Sequence, residues 1–170
     1  RPGLPAQKVY EHLLPHAVQS RAAKLAAVRE AMARHGATHH FVSTVDDLAW
    51  ITNLRGSDVT YNPVFLAHLL LDLAGGTLFV SAGKVDATLA ARLAADGLRL
   101  APYEQAGAAL ATLSPQHSLL IDPKRVTHGL RACVAAATPV LEATNPSTLL
   151  KSRKTAAEAA PLMETLETAL

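Results

Sequence analysis

Hydrophobic and polar positions repeat with a helical period in several parts of the chain. Leu25, Val28 and Met32 are spaced along one helix face, after Ser20, which can cap the start of a helix, and before Gly36, which can end it. The same criteria predict three further helices, over 85–97, 104–113 and part of 124–137.

Short apolar runs bounded by turn residues predict the strands. They fall at 38–43, 63–72, 77–81, 98–103, 118–122 and 139–144. The runs 63–72 and 77–81 are separated only by a short glycine-containing turn, which predicts an antiparallel hairpin. Strands that alternate with helices, together with one hairpin, predict an α/β fold. We expect a mixed β-sheet of about five or six strands flanked by helices.

The two ends of the chain differ from its middle. Residues 1–17 are rich in proline and are predicted to be a linker from a preceding domain. Residues 18–150 are predicted to form the α/β domain. Residues 151–170 are predicted to be a linker and the first helix of a further domain.

The predicted terminal helix has its own signals. Thr155 and Glu158 form a capping-box pattern, and Pro161 is expected to kink the helix or delay its start. One face carries an apolar row that nothing nearby in sequence covers: Leu162, Leu166 and Leu170. A lone helix exposing this row would invite association, which argues against an independent protein.

Composition excludes several classes of protein. Hydrophobic residues make up 49% of the chain, enough for a core and far from a disordered composition. The formal net charge is only +2, and the sequence shows no stripe of basic residues, so nucleic-acid binding is not expected. No apolar run is long enough to span a membrane and no signal peptide is recognisable, which predicts a cytoplasmic location. The single cysteine, Cys133, is predicted to be a buried small hydrophobe.

The eight histidines do not form a metal-binding pattern. His12 and His16 have the spacing of ligands on a helix, but Pro15 lies between them. His39 and His40 are adjacent and would point to opposite faces of a strand. Nucleophile and nucleotide-binding motifs are also missing from the sequence. We therefore predict neither a catalytic residue nor a metal ligand in this chain.

The stretch from Ser43 to Leu71 concentrates polar residues in an otherwise apolar region. Thr44 is a reasonable helix cap, and Asp46 and Asp47 would then lie in the first turn, where the helix dipole favours acids. This interpretation is preferred over a catalytic pair of carboxylates.

An arginine and an aspartate flank a glycine in the same stretch. Trp50 and Leu54 would anchor the segment in the core, and Gly56 would allow a sharp turn between Arg55 and Asp58. The two charged residues could form a local ion pair, or they could project toward a neighbouring domain. The residues alone do not decide between these alternatives.

The run DDLAWITNLRGSDVTYNPVFLAHLLL resembles a signature of the three-domain Xaa-Pro aminopeptidases, members of the creatinase/prolidase-like metallopeptidases. The matching positions are Asp47, Ala49, Trp50, Asn53, Leu54, Arg55, Gly56, Asp58, Asn62 and Pro63. The segments RPGLP and LLKSRKTAAEAA also resemble the borders of the second domain in that family. Thr52 departs from the family, which often has an apolar residue there.

The resemblance implies a creatinase-N-terminal-like domain that is not itself catalytic. In the family, a third domain binds two metal ions, usually manganese, through two Asp, two Glu and one His, and none of these ligand motifs maps onto this chain. The enzymes release the N-terminal residue of peptides that have proline in second position. The implied partners are the catalytic domain of the same polypeptide, such peptides, and a second copy in a homodimer, but neither nucleic acid nor a membrane.

The resemblance also divides the residues of the motif into candidates for contact with substrate and residues with a structural role. Arg55, Asp58 and Asn62 are candidates for lining the substrate cleft, access to which the domain would shape. The structural signature consists of Asp47, Trp50, Asn53, Gly56 and Pro63. The alternative is a stand-alone module of the same fold that binds a peptide or a partner protein.

Overall fold

The computed structural model describes residues 3–13 and 15–153 of the chain. Its strands are β1 Tyr10–Glu11, β2 His39–Val42, β3 Leu54–Arg55, β4 Ala67–Asp72, β5 Gly76–Val80, β6 Leu98–Pro102, β7 Leu119–Ile121 and β8 Val140–Glu142. Its α-helices are α1 Arg21–Arg34, α2 Val45–Thr52, α3 Ala87–Ala95, α4 Ala106–Ala111, α5 His128–Cys133 and α6 Pro146–Ser152. A short 3-10 helix, Tyr103–Gln105, precedes α4.

Six of the strands form one mixed sheet in the order β6-β5-β4-β2-β7-β8. β4 is antiparallel to both of its neighbours, β2 and β5, whereas the remaining pairs in this sheet are parallel. This topology confirms the predicted mixed α/β fold and the hairpin between β4 and β5. β1 and β3 pair separately as a small antiparallel sheet.

Apolar residues cover both faces of the six-stranded sheet. On one face, the fully buried Leu25, Val28 and Met32 of α1 share a core with residues of α2 and α3. On the other face, Phe41 and Phe79 pack with residues of α4 and α5. Because successive strand residues alternate between these two clusters, helices shield the sheet on both sides as expected.

Capping residues explain where the helices begin and end. The Ser20 hydroxyl accepts a hydrogen bond from the Ala23 amide, 3.2 Å away, and starts α1 as predicted. Gly36 follows α1 with a φ of +71°, in the left-handed region that favours glycine. The same arrangement closes α3, where Gly97 has a φ of +81°.

Two local predictions are wrong, and one helix was not predicted. β4 begins at Ala67 rather than at residue 63, because hydrogen bonds to the preceding turn hold residues 63–66. The helix that was not predicted is α6, which has Pro146 in its first turn. Cys133 is exposed rather than buried, because it ends α5 and Val134 turns inward instead.

Part of the predicted N-terminal linker packs against the domain. β1 pairs with β3, and the Val9 amide donates to the Lys84 carbonyl over 2.9 Å. The division into 1–17, 18–150 and 151–170 remains a prediction. The predicted helix that contains Thr155, Glu158, Pro161, Leu162, Leu166 and Leu170 lies outside the described residues.

Candidate functional site

The polar stretch after β2 begins with α2. Thr44 is the residue before the helix, and Asp46 and Asp47 occupy its first turn, as predicted. The Thr44 side chain, however, makes no capping hydrogen bond to the helix. Its hydroxyl instead accepts a long hydrogen bond, 3.4 Å, from the Asn145 side chain just before α6.

Asp47 attaches α6 to α2. Its carboxylate, only 2% exposed, accepts hydrogen bonds from the Thr148 hydroxyl at 2.9 Å and the Asn145 amide at 3.1 Å. The Lys151 ammonium lies 3.2 Å from the other carboxylate oxygen. A buried carboxylate with these partners holds the last described helix in one position.

Trp50 and Asn53 connect the end of α2 to α1. Asn53 adopts a left-handed conformation, φ +53°, at the end of the helix. Lys24 of α1 donates to the Asn53 side chain over 2.7 Å, and its ammonium lies 4.6 Å from the centre of the Trp50 ring. Thr52, the departure from the family pattern, satisfies its buried hydroxyl by donating to the Leu48 carbonyl.

Gly56 and Pro63 form the neck of the turn after β3. The Gly56 amide donates to the Pro63 carbonyl over 3.3 Å. A β-carbon at position 56 would lie 2.7 Å from the β-carbon of Phe65, closer than side chains approach one another. Only glycine fits this neck, which explains its place in the signature.

Asp58 does not pair with Arg55. Its carboxylate contacts the Lys84 ammonium, and both side chains are completely buried. Asp58 also accepts a hydrogen bond from the Leu66 amide at 2.7 Å, and Lys84 donates to the Pro5 carbonyl at 3.2 Å. A substrate would reach Asp58 only if this pair opened, so the contacts support a structural role for it.

Arg55 is held by backbone carbonyls rather than by acids. Its Nη1 group donates to Ala49 at 2.8 Å and to Leu54 at 2.9 Å. The side chain is half-buried, and burial lowers the pKa of its guanidinium. Within the part of the chain that the structure describes, Arg55 makes no ion pair with a carboxylate.

A pocket of about 240 Å³ lies beside Arg55. Its lining includes five matched positions of the signature, Ala49, Trp50, Arg55, Asn62 and Pro63, together with Asp46 from the start of α2 and Lys151 from α6. Asn62 donates to Asp46 over a long 3.4 Å. The structure thus brings two of the three cleft candidates together, whereas Asp58 and the signature residues Asp47, Asn53 and Gly56 do not line the pocket.

The sequence did not predict the contacts of two basic residues in this region, Lys84 and Lys151. Lys84 is 26 positions from Asp58, and Lys151 lies about a hundred positions beyond α2. Nothing in the residues around either lysine indicates such a distant partner. Only the topology of the fold brings them to the signature stretch.

A larger cavity, about 600 Å³, lies between the N-terminal segment and the start of α1. Its main cation, Arg21, is neutralised by Glu11 at 2.6 Å and Asp96 at 2.7 Å. The rings of His12 and His16, which flank this segment, stack 5.6 Å apart. The smaller pocket is the stronger candidate, because it gathers two predicted cleft residues and contains a cation, Arg55, that has no acid partner among the described residues.

Residues 3–13 and 15–153 contain neither a candidate metal centre nor a helix that could span a membrane. Histidine, cysteine, aspartate and glutamate side chains form no group of three that could hold a metal ion in this part of the chain. None of its helices has the length and apolar character needed to cross a bilayer.

The chain is similar to known proteins along most of its length. A family model described as the creatinase/prolidase N-terminal domain matches residues 1–158. Xaa-Pro aminopeptidase 1 of Dictyostelium discoideum is 35% identical over 136 residues, which are 79% of this chain and 21% of that protein. Aminopeptidase P2 of Arabidopsis thaliana is 33% identical over 124 residues, 72% of this chain and 18% of that protein. The chain therefore spans about a fifth of the length of these relatives.

Solved structures share the fold. The X-prolyl aminopeptidase of Caenorhabditis elegans, described as a cytosolic enzyme with a di-nuclear active site, superposes with a TM-score of 0.81 at 19% identity. The match covers 94% of this chain and 27% of that one. An aminopeptidase of the same class from Streptococcus pyogenes gives a TM-score of 0.54 at 16% identity, covering 76% of this chain and 96% of that one.

Proposed function

Because the chain belongs to the creatinase/prolidase N-terminal domain family, we propose that it is a non-catalytic domain of a metal-dependent Xaa-Pro aminopeptidase. Such an enzyme releases the N-terminal residue from peptides with proline in second position. Relatives named as Xaa-Pro aminopeptidases support this proposal, since they match most of this chain with only a fifth of their own length. The remainder of such a protein has room for the catalytic domain.

The position of the pocket supports a role in shaping access to the catalytic cleft. One wall consists of the signature residues Trp50 and Arg55, and another contains Lys151, close to the last described residue, Arg153. The chain therefore continues from a point beside the pocket. We propose that the domain that follows packs next to this pocket, so that the pocket forms part of the entrance to the cleft.

The metal ions of the proposed enzyme do not fit the described residues. Acidic and histidine side chains are spread over the domain and form no cluster of three between residues 3 and 153, leaving aside the undescribed position 14. We propose instead that the catalytic domain binds two divalent ions and that these are manganese. A cytoplasmic location and assembly as a homodimer complete the proposal.

The test uses the complete protein that contains this chain. With manganese present, it should release the first residue of a peptide with proline second and leave the same peptide with alanine second intact. The 170-residue chain alone should release nothing from either peptide. Turnover by the chain alone, or a complete protein indifferent to proline, would contradict the proposal. A complete protein that releases nothing from either peptide would also contradict it, and that outcome would favour the stand-alone binding module.

A further inference from the structure

Arg55 is a half-buried cation that lacks a counter-ion in the described part of the chain. Two other buried cations differ, because Arg21 contacts Glu11 and Asp96, and Lys84 contacts Asp58. Taking a guanidinium out of water without an opposite charge is unfavourable. An anionic ligand in the adjacent pocket would compensate this cost.

The hydrogen bonds of Arg55 determine which part of its guanidinium is available. Both carbonyl acceptors, Ala49 and Leu54, are bound through Nη1. The Nε and Nη2 groups make no hydrogen bond to any described residue. These two donors form one edge of the planar guanidinium, and their parallel N–H bonds match the two oxygens of a carboxylate.

The rest of the pocket suits the end of a peptide chain. Its volume of about 240 Å³ is below the roughly 300–1,000 Å³ typical of pockets that enclose a whole small ligand. Trp50 offers an apolar wall, Asn62 an amide, and Lys151 a second, partly exposed positive charge. Asp46 is the acid of the described lining, and its exposed position leaves it screened by solvent.

From these contacts we infer that the pocket binds the C-terminal carboxylate of a short peptide. Arg55 holds the carboxylate through Nε and Nη2, and Trp50 packs against the last side chain of the peptide. The inference rests on the proposed function, because that carboxylate belongs to a peptide bound in the cleft. It adds a selection for peptides short enough to reach from the catalytic centre to this pocket.

The probes are Pro-Ala-Ala and its C-terminal amide, which resemble the peptide left after the first residue is released. Neither has proline in second position, so binding can be measured without turnover, by calorimetry on the complete protein. We expect the free acid to bind about tenfold more tightly than the amide, as a charge-assisted bidentate contact provides. Arg55→Gln should bring the two affinities within about twofold of each other, because Lys151, the other cation of the described lining, already pairs with Asp47 and the remaining interactions are shared.

Asp46→Asn provides a second test on the surface of the pocket, where loss of folding is not expected. Removing this acid should leave the preference for the free acid unchanged or slightly increased, because the exposed, screened carboxylate repels the bound carboxylate only weakly. Arg99→Gln is the matched control, since it removes an exposed arginine on β6 that does not line the pocket. Its ratio of affinities should equal that of the unaltered protein.

Equal binding of acid and amide, or a preference that survives in Arg55→Gln, overturns the inference. A decreased preference for the free acid in Asp46→Asn overturns it as well. If turnover is selective for proline but the acid and the amide bind equally well, this inference is wrong and the proposed function stands. If the free acid binds more tightly but turnover is not selective for proline, the proposed function is wrong and the pocket remains a carboxylate-binding site.

Discussion

Removing the lysine of the buried Asp58–Lys84 pair should strongly destabilise the domain. In Lys84→Met, the Asp58 carboxylate would stay buried, and the Leu66 amide would be its one remaining hydrogen-bond donor among the described residues. Breaking a fully buried pair by removing one partner typically costs about 3–5 kcal/mol. For a chain of this length that loss corresponds to a decrease of about 6–20 °C in melting temperature.

Urea unfolding of the 170-residue chain, followed by circular dichroism, measures this loss. Adding Asp58→Asn to Lys84→Met removes the unpaired charge, and we expect the double variant to recover about 2–3 kcal/mol relative to the sum of the single changes. Arg34→Met is the control. Arg34 pairs with Glu30 in the open, with the two side chains 62% and 74% exposed, so its loss should cost no more than about 0.5 kcal/mol.

A cost below about 1 kcal/mol for Lys84→Met would refute the reasoning. It would mean that water reaches the pair in solution and that the loop carrying Asp58 is not fixed by Lys84. Asp58 would then return as a candidate for contact with a substrate.

Three further predictions follow from single contacts. Burial holds the pKa of His40 at about 4, below its unfolded value of about 6.5, so the unfolded chain binds more protons between these values. The free energy of unfolding should therefore decrease as the pH is lowered from 6.5 to 4, by up to about 3 kcal/mol from this group. In His40→Gln, urea unfolding curves measured over the same pH range should show a smaller decrease. Thr148→Val removes a donor to the buried carboxylate of Asp47, which should cost about 1–3 kcal/mol and speed amide hydrogen exchange in α6. Unchanged exchange would mean that this contact does not fix the helix. Gly56→Ala should lower the free energy of unfolding by about 1–3 kcal/mol, since the added methyl group has no room. Gly129→Ala, in open space within a helix, should instead raise it by about 0.5–1 kcal/mol. Equal effects of the two changes in thermal melts would contradict the close approach of Gly56 to Phe65.

Local signals predicted much of the fold. Ser20 and Gly36 bound α1 because capping depends on residues only three or four positions apart. The hairpin followed from a turn between two apolar runs. Elements of two residues, such as β1 and β3, carry too few positions to show a period.

The candidate site was predicted less completely, because its contacts are distant in sequence. The stretch containing Trp50, Arg55 and Asn62 was recognisable by itself, whereas Lys84 and Lys151 reach it from loops and helices that only the topology brings near. The acceptors of Arg55 are backbone carbonyls, which every residue has. Side-chain patterns could therefore not distinguish a local ion pair from the arrangement observed.

The central claim is that the pocket beside Arg55 faces the substrate of an Xaa-Pro aminopeptidase. Its most direct test is the KM of the complete protein for a short peptide with proline in second position, before and after Arg55→Gln, with the melting temperature as a check on folding. We predict a KM about tenfold higher, with kcat and melting temperature nearly unchanged, because the contact lies away from the reacting bond. An unchanged KM in a folded variant would contradict the claim.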